Sequence, residues 1–562
     1  MWRLLLLSSS IVLAMGMLAQ GPPPSSDKRA DAVAAQCTVA GRVVTAAEGS
    51  PLRSARIALI PEHSRSSQPH IFATISDSDG HFVLKDVTPG RYQFFATHTG
   101  FVDQQYQSED PDSGVVLALK PGQTLGDVLF RMTVAAVVTG RITDDNEEPM
   151  TGVQITALRK LSEEEVEQEA LYSSRKQDVA TVASAETDDR GHYRLFGLRP
   201  GEYYIRARDS LEDRFGGFQW RDMQIRQSLG SDFAPVYYAG VLQREQAQII
   251  SLRAGEEVQA DFSMRRTKTV EIAGRVIGPE GAAKNAWVHL ESTEMDDGGW
   301  DNQGNTNSDE QGNFRLKGVP PGSYTIVAQT RATEQNKYYH ARQKIEVGNE
   351  NIDSIVITLG GGSTLRGRVT VAGPGAVTMD QIHVALRSID QGEQWWGNRG
   401  EVKKDGTFEI TSIKDGNYSV SVWVRGAEED WYIKSARIGP DDVLEKGLQI
   451  EKGASGGRLE ITISSANAQL EGSVTDGDKA VIGAHILVMP EPQTPYNRFH
   501  FRSLTSDQTG LFLIAKLTPG KYRVTAKSPM SGGSLKSEPQ IVELSENDHK
   551  TIQLTIVKPA TQ

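Results

Sequence analysis

The stretch Asp188 to Ala207, DDRGHYRLFGLRPGEYYIRA, recurs along the chain. It returns as DSDGHFVLKDVTPGRYQFFA (Asp77 to Ala96), DEQGNFRLKGVPPGSYTIVA (Asp309 to Ala328) and DQTGLFLIAKLTPGKYRVTA (Asp507 to Ala526). A degenerate copy, KKDGTFEITSIKDGNYSVSV, runs from Lys403 to Val422. In all five copies seven positions separate the aromatic residue from the residue before the second glycine. That last residue is proline in four copies and Asp415 in the fourth. Asp-x-x-Gly is a turn, because the carboxylate bonds nearby backbone N–H groups and the glycine tolerates positive φ. The aromatic-x-apolar alternation that follows predicts a strand with one buried face. Pro-Gly predicts a second turn, and Tyr203, Ile205 and Ala207 lie on one face of a second strand. The pattern predicts a β-hairpin in each copy.

The spacing between copies is about 100 residues, the size of a sandwich domain rather than a solenoid repeat. Each unit opens with an apolar-x-Gly-x-Val/Ile strand: Val39 to Val43, Val138 to Ile142, Ile272 to Val276, Leu365 to Val369 and Leu470 to Val474. A second strand follows (56–60, 153–158, 287–291, 382–386, 485–489), then a variable polar loop, the repeated stretch, and two closing strands about a short turn. The expected fold is all-β, with five tandem immunoglobulin-like or prealbumin-like β-sandwich domains. The expected boundaries are 37–132, 133–266 with a long insertion, 267–361, 362–466 with the degenerate copy, and 467–557. One charged segment, residues 161–172, has helical character and reads as a surface excursion. Five such units on short connections predict an elongated rod of about 150–200 Å, at roughly 35–40 Å per unit.

These motifs resemble the carboxypeptidase regulatory-like domain, over residues 37 to about 557. The resemblance rests on the Gly-x-Val opening strand, the Asp-x-x-Gly-x-Phe/Tyr turn and the Pro-Gly-x-Tyr segment. It implies a transthyretin-like sandwich, grouped with starch-binding-domain-like folds, in an exported bacterial array. Unit four departs from the pattern at Lys403 and Asp415.

Residues 1–20 read as an export signal, with Arg3 ahead of an apolar run, and residues 21–36 as a Pro-rich linker. No later segment is apolar enough to span a membrane. The expected location is periplasmic, outer-surface associated or secreted. The net charge of −12 shows no basic stripe and argues against nucleic acid. The single cysteine, Cys37, permits no internal disulfide and reads as an ordinary strand residue.

No catalytic pattern is present. None of the eleven histidines has Glu three residues later, and HExxH, CxxC and phosphate-loop motifs are missing. Asp77-x-Asp79-Gly80 begins like a calcium loop but lacks the remaining ligand positions, so a turn aspartate is expected and no metal or cofactor. His289, His383 and His485 share the second strand of three units and read as half-buried strand residues. Trp287 and Trp423 read as core.

The candidate binding residues are aromatics among Asn, Gln, Asp and Gly in the variable loops: Trp300, the pair Trp395 and Trp396, and Tyr496 with Phe499 and Phe501. Trp220 and the Tyr237–Tyr238 pair sit in the insertion of unit two. Trp and Tyr offer faces to sugar rings, with amides and carboxylates at the edge for hydroxyls. Polysaccharide is the favoured partner and an envelope protein the alternative. Paired acids such as Asp296–Asp297 or Glu428–Glu429–Asp430 are the weakest option, a hydrolase site. The same aromatics would also serve to pack one unit on the next.

Overall fold

The computed structural model describes residues 35–557 apart from 63–69, 108–113, 164, 168–176, 210–230, 293–301, 333–336, 361, 374, 390–398, 414, 428–429, 452–456, 498–499 and 530–534. Among these residues five separate apolar cores succeed one another along the chain. In units one to four the core lies between two sheets, and in unit five the short strand Lys536–Ser537 joins the two faces into one nine-stranded sheet about the core, so the chain is an all-β tandem of five sandwiches.

Unit one shows the plan. Its opening strand, Cys37–Thr45, pairs antiparallel with His81–Val87 and parallel with the closing strand Thr124–Met132. In the facing sheet Arg56–Pro61 lies between Phe72–Ile75 and Gly90–Thr97, and Leu117–Leu119 adds to the far side of Gly90–Thr97. Inward positions alternate with outward ones, as a half-buried strand requires.

The predicted hairpin is not one. The two strands of the repeated stretch do not pair with each other: in units one to four they belong to different sheets, and in unit five they pair with different strands of one nine-stranded sheet. His192–Leu198 pairs with the opening strand Ala136–Thr143, whereas Gly201–Asp209 pairs with Val153–Lys160. Units three, four and five repeat the arrangement. The Pro-Gly turn is therefore an arch that crosses the core. In-register alternation alone does not distinguish the two: apolar faces that would lie side by side in a hairpin face each other across an arch. The closing strands divide likewise, as in unit three, where Lys337–Val347 pairs with Gly322–Ala332 and Ile352–Thr358 joins the opening strand.

The glycine of the opening strand follows from this plan. A Cβ on Gly41, Gly140, Gly274, Gly367 or Gly472 would lie 2.1 to 2.4 Å from a carbonyl oxygen of the closing segment. The closing strand comes so near that only a bare Cα fits.

Unit four keeps the plan despite its degenerate copy. The Lys403 turn closes by Lys403 N–H to Thr407 O, and the Asp405 carboxylate accepts from Thr407 N–H at 3.0 Å. The aspartate has moved two positions and does a related job.

The units do not form an open rod. Lys337–Val347 of unit three lies beside Thr407–Ile413 of unit four. Glu546 of unit five bonds Tyr432 and Lys434 of unit four. Unit five also meets unit one, where Gln508 bonds the backbone of Ala118. The expected extended array is thus corrected by contacts between exposed turns and edges, which no local pattern encodes.

Residues 163 and 165–167 are helical, inside the segment expected to be so; part of that segment lies outside the described residues. No helix among the described residues is long and apolar enough to cross a membrane. The expected signal and most of the linker lie outside the described residues.

Candidate functional site

The recurrent turn is built by two side chains. The Asp77 carboxylate accepts from the N–H groups of Asp79 and His81, at 2.9 and 2.8 Å. Asp188, Asp309 and Asp507 repeat both bonds. Backbone donation, first from His192, holds the Asp188 carboxyl below its usual range, and the N–H of Asn313 does the same for Asp309. Asp77, Asp79 and His81 stand close enough together to share an ion, but all three are exposed, and Asp77 already has the partners a turn requires.

The residue before each aspartate is a second fixture that the motif reading overlooked. The buried hydroxyl of Ser76 donates to Leu52 O at 2.6 Å and accepts from Ala55 N–H at 2.9 Å. Thr187 does the same with Met150 and Val153, Ser308 with Ala283 and Ala286, and Ser506 with Val481 and Ala484. The signal was visible as Ser/Thr-Asp in four copies. Unit four has buried Val402 there, with no hydroxyl to donate.

The tyrosine after Pro-Gly locks the arch. Tyr92, Tyr203, Tyr324 and Tyr522 each donate their hydroxyl to the carbonyl four residues earlier, at 2.6, 2.8, 3.1 and 2.6 Å. Burial pushes the Tyr522 hydroxyl up to about 12. These residues serve the architecture of the sandwiches.

Of the predicted binding aromatics, Trp220, Trp300, Trp395, Trp396 and Phe499 lie outside the described residues. Tyr496 is placed at the junction of units four and five, and its ring covers the bare Cα of Gly447. Phe501 is buried at 7% exposure, so it is core rather than a presented ring. Tyr238 meets Phe262 edge-on at 5.7 Å, a packing contact within unit two. Trp423, expected in the core, is 38% exposed and stacks on His383 at 5.0 Å on an outer sheet face. Trp287 is half-buried and stacks on His289 in the same way, at 4.0 Å. Both tryptophans occupy outward positions of their strands, where alternation wins over side-chain hydrophobicity.

Among the described residues, clefts open at unit junctions, including two lined by residues of both neighbouring units. The larger, about 670 Å³, lies between units four and five. Trp431, Tyr432 and Lys434 line it from one side, and Tyr496, Asn497 and His500 from the other. Burial pushes Tyr432 up to about 12, and its hydroxyl donates to the Glu546 carboxylate at 2.7 Å. Lys434 donates to the other oxygen of Glu546 at 2.8 Å, and these bonds hold that carboxyl below its ordinary value. The second cleft, about 610 Å³, lies between units one and two and includes Arg56, Asp103, Arg199 and the ring of Phe196. Burial raises the Asp103 carboxyl, against the opposing pull of Arg56 and Arg199.

The first unit also carries a recognisable sequence family. Residues 38–126 match the carboxypeptidase regulatory-like domain. The matched stretch spans the opening strand, the Asp77 turn and the Tyr92 arch, features repeated in units two, three and five and altered in unit four. No curated protein matches the chain. Among solved structures, a streptococcal ancillary pilin is 10% identical with a TM-score of 0.22, covering 58% of this chain and 99% of its own. The minor pilin of Streptococcus agalactiae is 14% identical with a TM-score of 0.19, covering 40% and 96%. The BcpA major pilin subunit of Bacillus cereus is 11% identical with a TM-score of 0.15, covering 75% and 99%. These scores are too low to carry a domain arrangement or a function across.

Proposed function

We propose that this chain is a non-catalytic, exported binding and structural array, acting at or beyond the cell envelope. The observation that carries the reading is the use made of its repeated polar residues. In four of the five units the turn aspartate, the preceding hydroxyl and the arch tyrosine bond backbone groups and build sandwiches. What varies between units is loops and junctions, and there the binding work belongs.

The favoured ligand is carbohydrate, taken by the loop aromatics Trp220, Trp300, Trp395, Trp396 and Phe499 and by the Tyr496 cleft. Tyr496 and Trp431 beside Asn497 and His500 offer rings and edge polar groups of the kind that sugars engage. An envelope protein partner is the second reading, favoured by Phe196, which is 71% exposed at the rim of the other cleft. The test is binding of the full mature chain to a panel of soluble and insoluble polysaccharides. A Trp395→Ala/Trp396→Ala variant and a Tyr496→Ala variant are run beside it, with folding checked by circular dichroism. Binding lost in either variant supports the carbohydrate reading and locates the site. Absence of binding to every glycan defeats it and directs the search to protein partners through Phe196.

A further inference from the structure

The contact between the ends of the chain has an unusual construction. Leu117–Leu119 is an edge strand of unit one, hydrogen-bonded to Gly90–Thr97 on one side only. On its free side stands the Gln508 side chain of unit five. Gln508 Oε1 accepts from Ala118 N–H at 2.9 Å, and Gln508 Nε2 donates to Ala118 O at 2.6 Å. The carboxamide thus occupies the place that the peptide group of a further strand would take, and it caps an edge that would otherwise invite pairing.

Three further contacts surround it. Thr505 Oγ1 donates to Gly114 O at 3.0 Å. Arg91, paired with Glu62 at 2.7 Å, reaches Asp507 at 3.5 Å. Val115 lies against the bare Cα of Gly483, where a Cβ would meet it at 2.9 Å. The result is visible in burial: the Asp507 side chain is 5% exposed, whereas its counterparts Asp77 and Asp188 are 58% and 54% exposed. Unit five has adapted its common turn into a docking surface, and Gln508 takes a position filled in the other copies by Ser78, Asp189, Glu310 and Lys404.

We propose that this face is a latch with two uses, closed within one chain or exchanged with a second copy of the same chain. The two halves are different surfaces at opposite ends of one polypeptide. Such a heterologous pair, when it engages between copies, joins them head to tail. The contact is small, polar and rich in direct hydrogen bonds, as reversible interfaces are. Within one chain the tether raises the effective concentration of the partner surface to roughly the millimolar range, so dilute protein is closed. Crowding at a surface, or a transient opening of any junction, converts the same contacts into intermolecular ones without any new site. Ala118 N–H and C=O supply the recognised group, and Gln508 supplies the reader.

The test uses the full mature chain and a Thr505→Val/Gln508→Ala variant, which removes three hydrogen bonds while leaving the strand and turn residues in place. Light scattering after size exclusion is recorded from roughly 1 µM to 1 mM, before and after a brief pulse of mild denaturant, and small-angle scattering reports the dimension of the monomer. The expected result is a closed wild-type monomer when dilute and head-to-tail oligomers when concentrated or pulsed. In the variant the monomer is larger, and the association constant falls by at least about tenfold, consistent with the loss of three hydrogen bonds. Wild-type chain that stays monomeric throughout, or a variant that oligomerises as readily, overturns the exchange. An unchanged monomer dimension in the variant overturns the latch itself. A second variant, Gln508→Glu, guards against misfolding. It keeps one acceptor for Ala118 N–H but sets a carboxylate against Ala118 O, so it gives the same direction of change with minimal change of shape.

Discussion

At the residue scale, each sandwich depends on a few polar atoms that serve the backbone. Tyr203 is typical: its ring fills the core of unit two while its hydroxyl donates to Arg199 O at the arch. Removing only the hydroxyl leaves that carbonyl one partner short. Tyr203→Phe is expected to destabilise unit two by about 1 kcal/mol. Hydrogen exchange should show faster amides in Gly201–Asp209 and unchanged rates in units three and five. The Ser/Thr hydroxyls before the turn aspartates act by the same logic, since each satisfies one donor and one acceptor that the sheets leave over.

At the scale of elements, the decisive feature is the closing strand, which runs parallel to the opening strand. It approaches closely enough to meet an added Cβ on Gly274, which would stand 2.3 Å from Ile355 O and 2.7 Å from the Phe314 ring. Neither a backbone carbonyl nor a buried ring can yield cheaply. Gly274→Ala is therefore expected to cost about 2–3 kcal/mol. A calorimetric scan should show the transition of unit three lowered while the others hold their positions. An undisturbed transition would mean that the parallel pairing yields enough to admit a methyl group at Gly274.

For the whole molecule, junctions decide the arrangement. Glu546 joins units four and five through Lys434 and Tyr432, and their bonds keep its folded-state pKa below the ordinary value of 4.5. A depressed carboxyl contributes stability that is fully present above its unfolded pKa and is lost as pH falls through the folded one. The junction is therefore expected to hold at neutral pH and to loosen only well below pH 4.5. Hydrogen exchange of Tyr432–Ile438, corrected for intrinsic rates, should lose protection in that acid window. Glu546→Gln should weaken protection at neutral pH and flatten its pH dependence. The polysaccharide panel and the latch experiment address this same scale.

Much of the sandwich was written in the chain. The alternation around Phe82 and Tyr92, the Asp-x-x-Gly turns and the recurrent glycine of the opening strand dictated strands, turns and five similar units, because each acts on its own backbone neighbours. Alternation shows which residues share a face but not which sheet the face belongs to, so the arch at Pro200–Gly201 read as a hairpin. Trp423 read as core because hydrophobicity was weighed without knowing its face. The Tyr496 position over Gly447, the Glu546 junction and the Gln508 cap on Ala118 belong to the tertiary structure alone. They join groups far apart in the chain: Gln508 reads a backbone amide and Tyr496 covers a bare Cα, which look the same at every position of a sequence, and Glu546 meets the side chains of Tyr432 and Lys434, to which no local spacing ties it.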